Sequence, residues 1–320
     1  MIVTALTERF GLRHPIVLAP MGAVSGGRLA AAVSNAGGLG LVGGGYGDRA
    51  WLAHELAIVK GATTRPWGVG LITWSIGPGT LDAALAFRPD AFMLSFGDPR
   101  PHAGAIKAAG CALVCQVQGF EEARLAREAG ADFIVAQGTE AGGHGAGRAT
   151  LPLVPAIVDF AAPTPVIAAG GIVDGRGLAA ALMLGAHGAL MGTRFYASTE
   201  SLAHDAAKRR VVGASGADTA RTRVFDIVRD YAWPAPYTGR ALRNRFMSQW
   251  TGREESLFAA LDTERATYRK ATEEDDFDTA MIWAGEGVDL VDAVEDAGTL
   301  VERIGGEAQT RLREGAARLR

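Results

Sequence analysis

The chain of 320 residues contains only two cysteines, Cys111 and Cys115. Two thiols four positions apart form neither a disulfide framework nor a zinc set, and they suit a reducing compartment. An excess of one charge is also missing. Lys and Arg number 32 against 35 Asp and Glu, a formal net charge of −3, with no polybasic run and no acidic tail. A nucleic-acid surface is therefore not expected. The segment Met1–Phe10 carries Glu8 and Arg9 and lacks the apolar core of a secretory signal. The longest weakly charged stretch, Leu151–Val173, is broken by Pro152, Pro155, Pro163 and Pro165 and holds Asp159, which makes a poor membrane span. No His-x-x-x-His pair or carboxylate cluster follows a candidate strand, so no metal is expected. These absences leave a cytoplasmic protein with no membrane partner as the expectation.

Glycine is abundant, at 43 residues without a G-X-Y period, so a collagen-like chain is excluded. Gly and Ala punctuate short apolar runs at Pro15–Pro20, Leu39–Gly43, Trp67–Ile72, Ala91–Phe96, Ala112–Gln118, Phe133–Gln137, Pro165–Ala169 and Gly188–Gly192. Each reads as a parallel strand buried on both faces. Their starts recur about every 25 residues, room for one strand and one helix per unit. Helices are expected at Arg28–Ala36, Asp48–Lys60, Pro99–Ala109, Glu121–Ala129 and Asp174–Leu184, with Asp174 as an N-cap and Gly185 as a stop. Eight such units joined by right-handed crossovers specify an α/β fold, the (β/α)8 TIM barrel. An open doubly wound sheet is the weaker rival, because no glycine fingerprint follows the first strand.

After Ser198 charge rises and glycine falls. Arg253–Lys270 has helical spacing, Trp233–Tyr237 (WPAPY) reads as a stiff turn, and Leu290–Arg320 reads as a terminal amphipathic helix. The expected organisation is a barrel of residues 1–203 and 281–320, interrupted by a mostly helical lid at 204–280.

Barrel sites lie on the loops at the C-terminal ends of the strands. The first strand leads into Pro20-Met21-Gly22, and the fifth carries Gln116 and Gln118. The sixth runs through Gln137 into Glu140-Ala141-Gly142-Gly143-His144-Gly145. The seventh ends in Ala169-Gly170-Gly171 and the eighth in Met191-Gly192-Thr193. Glycines after strands seven and eight either make plain tight turns or present backbone N–H groups to a phosphate. His144 is expected to lean over the barrel mouth from a flexible loop, where an imidazole suits proton transfer near neutral pH. Glu140 is expected to cap a turn rather than orient His144. Gln116 and Gln118 are expected to face opposite ways, so that only one reaches the mouth. The two cysteines read as core, and the other histidines as surface or packing residues.

The pieces PIVLAPMG, SNAGGLGLVGGG, QVQGFEEARLAREAGADFIVAQGTEAGGHGAG and PVIAAGGIVDGRGLAAALMLGAHGALMGTRF, with the later WPAPYTGRALRN and IWAGEGVDLVDAV, resemble the nitronate monooxygenase family. The resemblance covers nearly the whole chain. It implies an FMN-dependent TIM barrel with a helical lid that oxidises alkyl nitronates or nitroalkanes with O2. His144 matches the catalytic histidine of that family. By the same matching, FMN would be bound by Pro20, Met21, Gly22, Gln116, Gln137, Gly142, Gly143, Ala169, Gly170, Gly171, Met191, Gly192 and Thr193. One departure stands out: after the third strand many relatives carry Asn, whereas Gly70 here supplies no side-chain donor. Thr73 or Trp74 is placed to compensate, or Trp74 to narrow the pocket. The same motifs also resemble FMN-dependent enoyl-ACP reductases and NAD(P)H:quinone reductases. An NAD(P)H-dependent reductase of an enoyl thioester or quinone is therefore the alternative, and a flavin-binding protein without turnover a third reading.

Overall fold

Side chains alternate along each apolar run, and the two resulting faces fill two separate layers. The computed structural model describes residues 1–319. Its strands are β1 (Ile16–Leu18), β2 (Gly40–Gly43), β3 (Trp67–Ile72), β4 (Ala91–Ser95), β5 (Ala112–Val117), β6 (Phe133–Gln137), β7 (Gly143–Gly145), β8 (Val166–Ala169), β9 (Ala189–Met191), β10 (Thr219–Thr222) and β11 (Thr238–Leu242). Eight of these pair in parallel in the order β1-β9-β8-β6-β5-β4-β3-β2. The sheet closes where Val17 bridges Leu39 in parallel, with Leu18 N–H donating to Leu39 O and Leu39 N–H to Ile16 O, each at 2.9 Å. The eight expected strands are thus the eight strands of a TIM barrel.

Val17, Leu41, Met93, Val114, Val135, Ile167 and Leu190 point into the barrel. Their neighbours Leu18, Val42, Phe92, Leu113, Ile134 and Val166 point out against the helices. The helix Ala5–Phe10 plugs the N-terminal end, where Leu6 and Phe10 join the inner layer and the Thr4 hydroxyl donates to His187 O at 2.7 Å. Burying each such large apolar side chain contributes roughly 1.5–3 kcal/mol, so the closed end carries stability and the open end is left for the site.

The expected helices occur at Gly27–Asn35, Arg49–Ala62, Arg100–Ala108, Phe120–Glu128 and Gly175–Met183. Asp48 and Asp174 cap two of them, the latter accepting from Gly177 N–H at 3.0 Å. The terminal helix, Ala297–Ala316, packs on Gly27–Asn35 and Gly175–Met183. Among the described residues no helix is long and apolar enough to cross a membrane.

Between residues 205 and 273 lie the helices Asp205–Val212, Val224–Val228, Arg245–Trp250, Glu254–Ala259 and Leu261–Glu273. The expected single helix over Arg253–Lys270 is broken at Ala260. The same segment contributes β10 and β11, and β11 pairs antiparallel with β7, setting Thr238 opposite Gly145, Gly239 opposite His144 and Arg240 opposite Gly143. The glycine-rich run after the sixth barrel strand is therefore not a flexible loop. Hydrogen bonds from a distant part of the chain hold it as a strand.

Candidate active site

A cavity of about 570 Å³ opens at the C-terminal ends of the barrel strands. Pro20, Met21, Gly22, Gln116, Gln137, Gly142, Gly143, His144, Ala169, Gly170, Gly171, Gly192 and Thr193 all line it. Met191 does not. In β9 Ala189 and Met191 face the outer layer, so Leu190 lines the cavity in its place.

Gln116 and Gln118 share a face instead of opposing one another, because residues two apart on a strand point the same way. Both side chains donate to Gln137 Oε1, from Gln116 Nε2 at 3.0 Å and from Gln118 Nε2 at 2.8 Å. Gln137 Nε2 then donates to His144 O at 3.1 Å. This chain of amides ties the barrel floor to β7. The half-buried Arg221 and the buried Arg240 hold β7 and the turn before it from the other side. Arg221 donates to Gly145 O at 3.1 Å, and Arg240 to Thr139 O at 2.9 Å. Burial among few counter-charges, with Arg240 nearby, lowers the Arg221 guanidinium to about 10. Glu140 caps, as expected: its carboxylate accepts from Thr150 N–H at 2.9 Å and from Thr150 Oγ1 at 2.7 Å.

The partner of His144 is Asp226, on the helix Val224–Val228. His144 Nε2 lies 2.9 Å from both carboxylate oxygens, and the side chains are 8% and 4% exposed. A carboxylate only accepts, so Nε2 carries the hydrogen and the neutral ring keeps its lone pair on Nδ1. Nδ1 has no protein partner among the described residues, and the residue lines the cavity. Burial lowers the His144 pKa below its ordinary 6.5, opposed by the hydrogen bond and charge of Asp226. Burial thus favours the neutral ring, with Nδ1 free of protein partners, in a residue that lines the cavity.

Aromatic rings fix its plane. Trp233 stacks on the imidazole with centroids 3.5 Å apart and 5° between planes, and its indole N–H donates to Tyr46 Oη at 2.9 Å. Tyr46 stacks on Tyr231 at 3.8 Å, and burial pushes its hydroxyl up to about 12. Trp283 closes another side at 5.2 Å from the imidazole. It fits because Gly239 faces it: a Cβ there would lie 2.4 Å from the indole.

Sequence reasoning missed Asp226 and Trp233. A signal for Asp226 exists: one carboxylate inside the apolar run Val224-Phe225-Asp226-Ile227-Val228 needs a buried partner. Trp233 was hidden inside a segment read as a stiff turn. Gly70 has a steric cause, since a Cβ would stand 2.4 Å from the Pro20 ring. Neither Thr73 nor Trp74 compensates for the missing donor, because neither lines the cavity, and Trp74 stands edge-on to Trp233 at 5.3 Å.

The amides of Gly170, Gly171, Gly192 and Thr193 meet no protein acceptor among the described residues. Gly170 holds φ at +106°, and a Cβ would come within 2.9 Å of Gly138 O, so this turn needs glycine. Four free amides on two adjacent loops are donors that an anion could use.

The model of the nitronate monooxygenase family matches residues 3–76 and 77–307. A 5-hydroxy-7a-methyl-1-oxo-octahydro-1H-indene-4-carboxyl-CoA dehydrogenase of Mycobacterium tuberculosis is 40% identical over 70% of this chain and 64% of its own length. The chain thus spans just under two thirds of that relative. A nitronate monooxygenase of Neurospora crassa is 32% identical, covering 94% of this chain and 91% of that protein. The structure of FabK from Thermotoga maritima superposes with a TM-score of 0.88 at 30% identity, over 99% of both chains.

The His144–Asp226 pair generates a titration test. Asp226 raises the His144 pKa against the lowering by burial, so its removal leaves desolvation unopposed. By NMR titration, His144 should protonate below pH 6.5 in the native protein and lower still in Asp226→Asn. A midpoint that rises in the variant would contradict the assignment.

Proposed function

The chain belongs to the nitronate monooxygenase family and is an oxidoreductase, and on that premise we propose that it binds FMN in the cavity and oxidises alkyl nitronates and their parent nitroalkanes with O2. The free amides of Gly170, Gly171, Gly192 and Thr193 fit the cofactor phosphate. Pro20, Met21, Gly22, Gln116, Gln137, Gly142, Gly143 and Ala169 line the rest of the cavity and would surround the ring system. FMN, when bound, supplies the electron acceptor for the substrate and the donor to O2. In this reading residues 204–280 are the lid over a barrel of 1–203 and 281–320, and the lid carries Asp226 and Trp233 to the site.

The observation that carries the proposal is the free Nδ1 of His144, with its tautomer set by Asp226. A neutral nitroalkane must lose an α-proton to become a nitronate. His144 Nδ1 takes that proton, and the Asp226 carboxylate stabilises the imidazolium that forms. Trp233 keeps the ring from turning and excludes water from one face.

A second reading is an NAD(P)H-dependent flavin reductase acting on an enoyl thioester or quinone; the Mycobacterium tuberculosis relative, by its name a dehydrogenase of a carboxyl-CoA, acts on a CoA thioester. Anaerobic mixing separates the two. The favoured reading expects propyl nitronate, and not NADH, to bleach the flavin rapidly.

Two variants test the assignments. Gly192 tolerates a side chain, since its Cβ would lie 3.4 Å from Met21 Sδ, an ordinary contact. Gly192→Val should fold by circular dichroism yet lose the bound flavin, and full flavin occupancy would misplace the phosphate site. His144→Ala should retain flavin and lose about 10²–10⁴-fold in rate on a neutral nitroalkane. On a preformed nitronate the loss should be smaller, because no proton remains to be removed. Equal losses on both substrates would make His144 a binding group and not a base.

A further inference from the structure

The cavity wall holds one cation that the proposed chemistry leaves unused. Arg229 lies one helical turn after Asp226 and lines the cavity. Its guanidinium sits over the Tyr231 ring at 4.6 Å and within 5.9 Å of the Tyr46 centroid. The only acceptor it meets among the described residues is Met281 Sδ, 3.3 Å from Nη1, and a thioether accepts weakly.

The carboxylates around it are committed elsewhere. Asp226 holds His144 through both oxygens, and Asp230 pairs with Arg265 at 3.3 Å. Asp48, the acidic residue of the cavity lining, caps its own helix through Ala50 and Trp51. Stacking on tyrosine uses the face of a guanidinium and leaves its edge, with the N–H groups, free. A half-buried guanidinium with open donors, oriented by two aromatic rings beside a base, is prepared for a bidentate oxyanion.

We propose that Arg229 anchors the substrate through an oxyanion, a carboxylate or a phosphate, remote from the carbon that gives its proton to His144. The inference rests on the reading of this cavity as the substrate site and narrows the substrate to an anionic class. Arg229 fixes which end of the molecule enters beneath Trp233, and the aromatic walls accept the apolar stretch between.

Calorimetric titration of the flavin-loaded protein, as purified, tests this with butyrate, propyl phosphate and the neutral isostere butyramide. The native protein should bind at least one of the anions about ten- to hundredfold more tightly than butyramide. The tighter of the two assigns carboxylate or phosphate. Arg229→Gln should abolish the preference without weakening butyramide, and Arg229→Lys, which keeps the charge without the fork, should retain part of it. No preference in the native protein, or an undiminished preference in both variants, would overturn the anchor. So would loss of flavin from a folded Arg229→Gln, because the guanidinium would then serve the cofactor. The nitroalkane assay reads separately: a native protein that prefers anions but turns over no nitroalkane keeps the anchor and loses the reaction.

Discussion

The barrel supplies a histidine and the segment after it supplies the carboxylate, and the site exists only where the two meet. His144 stands on β7 and Asp226 on the helix Val224–Val228, 82 residues later. Both side chains are almost wholly buried. Removing one partner of a buried ionisable pair strands the other, at a cost typically of about 3–5 kcal/mol. The pairing of β7 with β11, the Gln137 bond to His144 O and the Arg221 bond to Gly145 O all hold the histidine where that carboxylate can reach it. The same contact sets the tautomer, because it places the hydrogen on Nε2 and the lone pair on Nδ1.

The division of labour along the barrel axis follows from this. At the N-terminal end Leu6 and Phe10 seal the inner layer with apolar packing. At the C-terminal end the inner positions carry Gln116, Gln137 and Ala169, and glycines replace larger residues where loops pass close together. The closed end can therefore stabilise what the open end does not. At the open end Gln137 is fully engaged, accepting two hydrogen bonds and donating a third, whereas Gln118 Oε1 is buried with no partner among the described residues.

Much of this was legible in the sequence for a physical reason. A parallel strand covered on both faces must be apolar throughout, so all eight barrel strands appeared as apolar runs, and Gly170 and Gly192 marked the turns that follow two of them. Contacts that join distant segments left weaker traces. The strands β7, β10 and β11 are short and polar (GHG, TART and TGRAL), and nothing local announces their pairing. Asp226 reads as an oddity in an apolar helix until His144 is seen beside it. The facing of Gln118 and the outward turn of Met191 follow from strand alternation alone and were readable from it.

The central claim is that Asp226 fixes the tautomer of His144 and so leaves Nδ1 free to serve as the base of the proposed reaction. Nitrogen-15 NMR of the histidine ring at neutral pH tests it directly. The account predicts a protonated Nε2 and an unprotonated, pyridine-like Nδ1 for His144. A protonated Nδ1, alone or together with Nε2, would contradict it, because the nitrogen free of Asp226 would then be a donor with no lone pair to accept a proton.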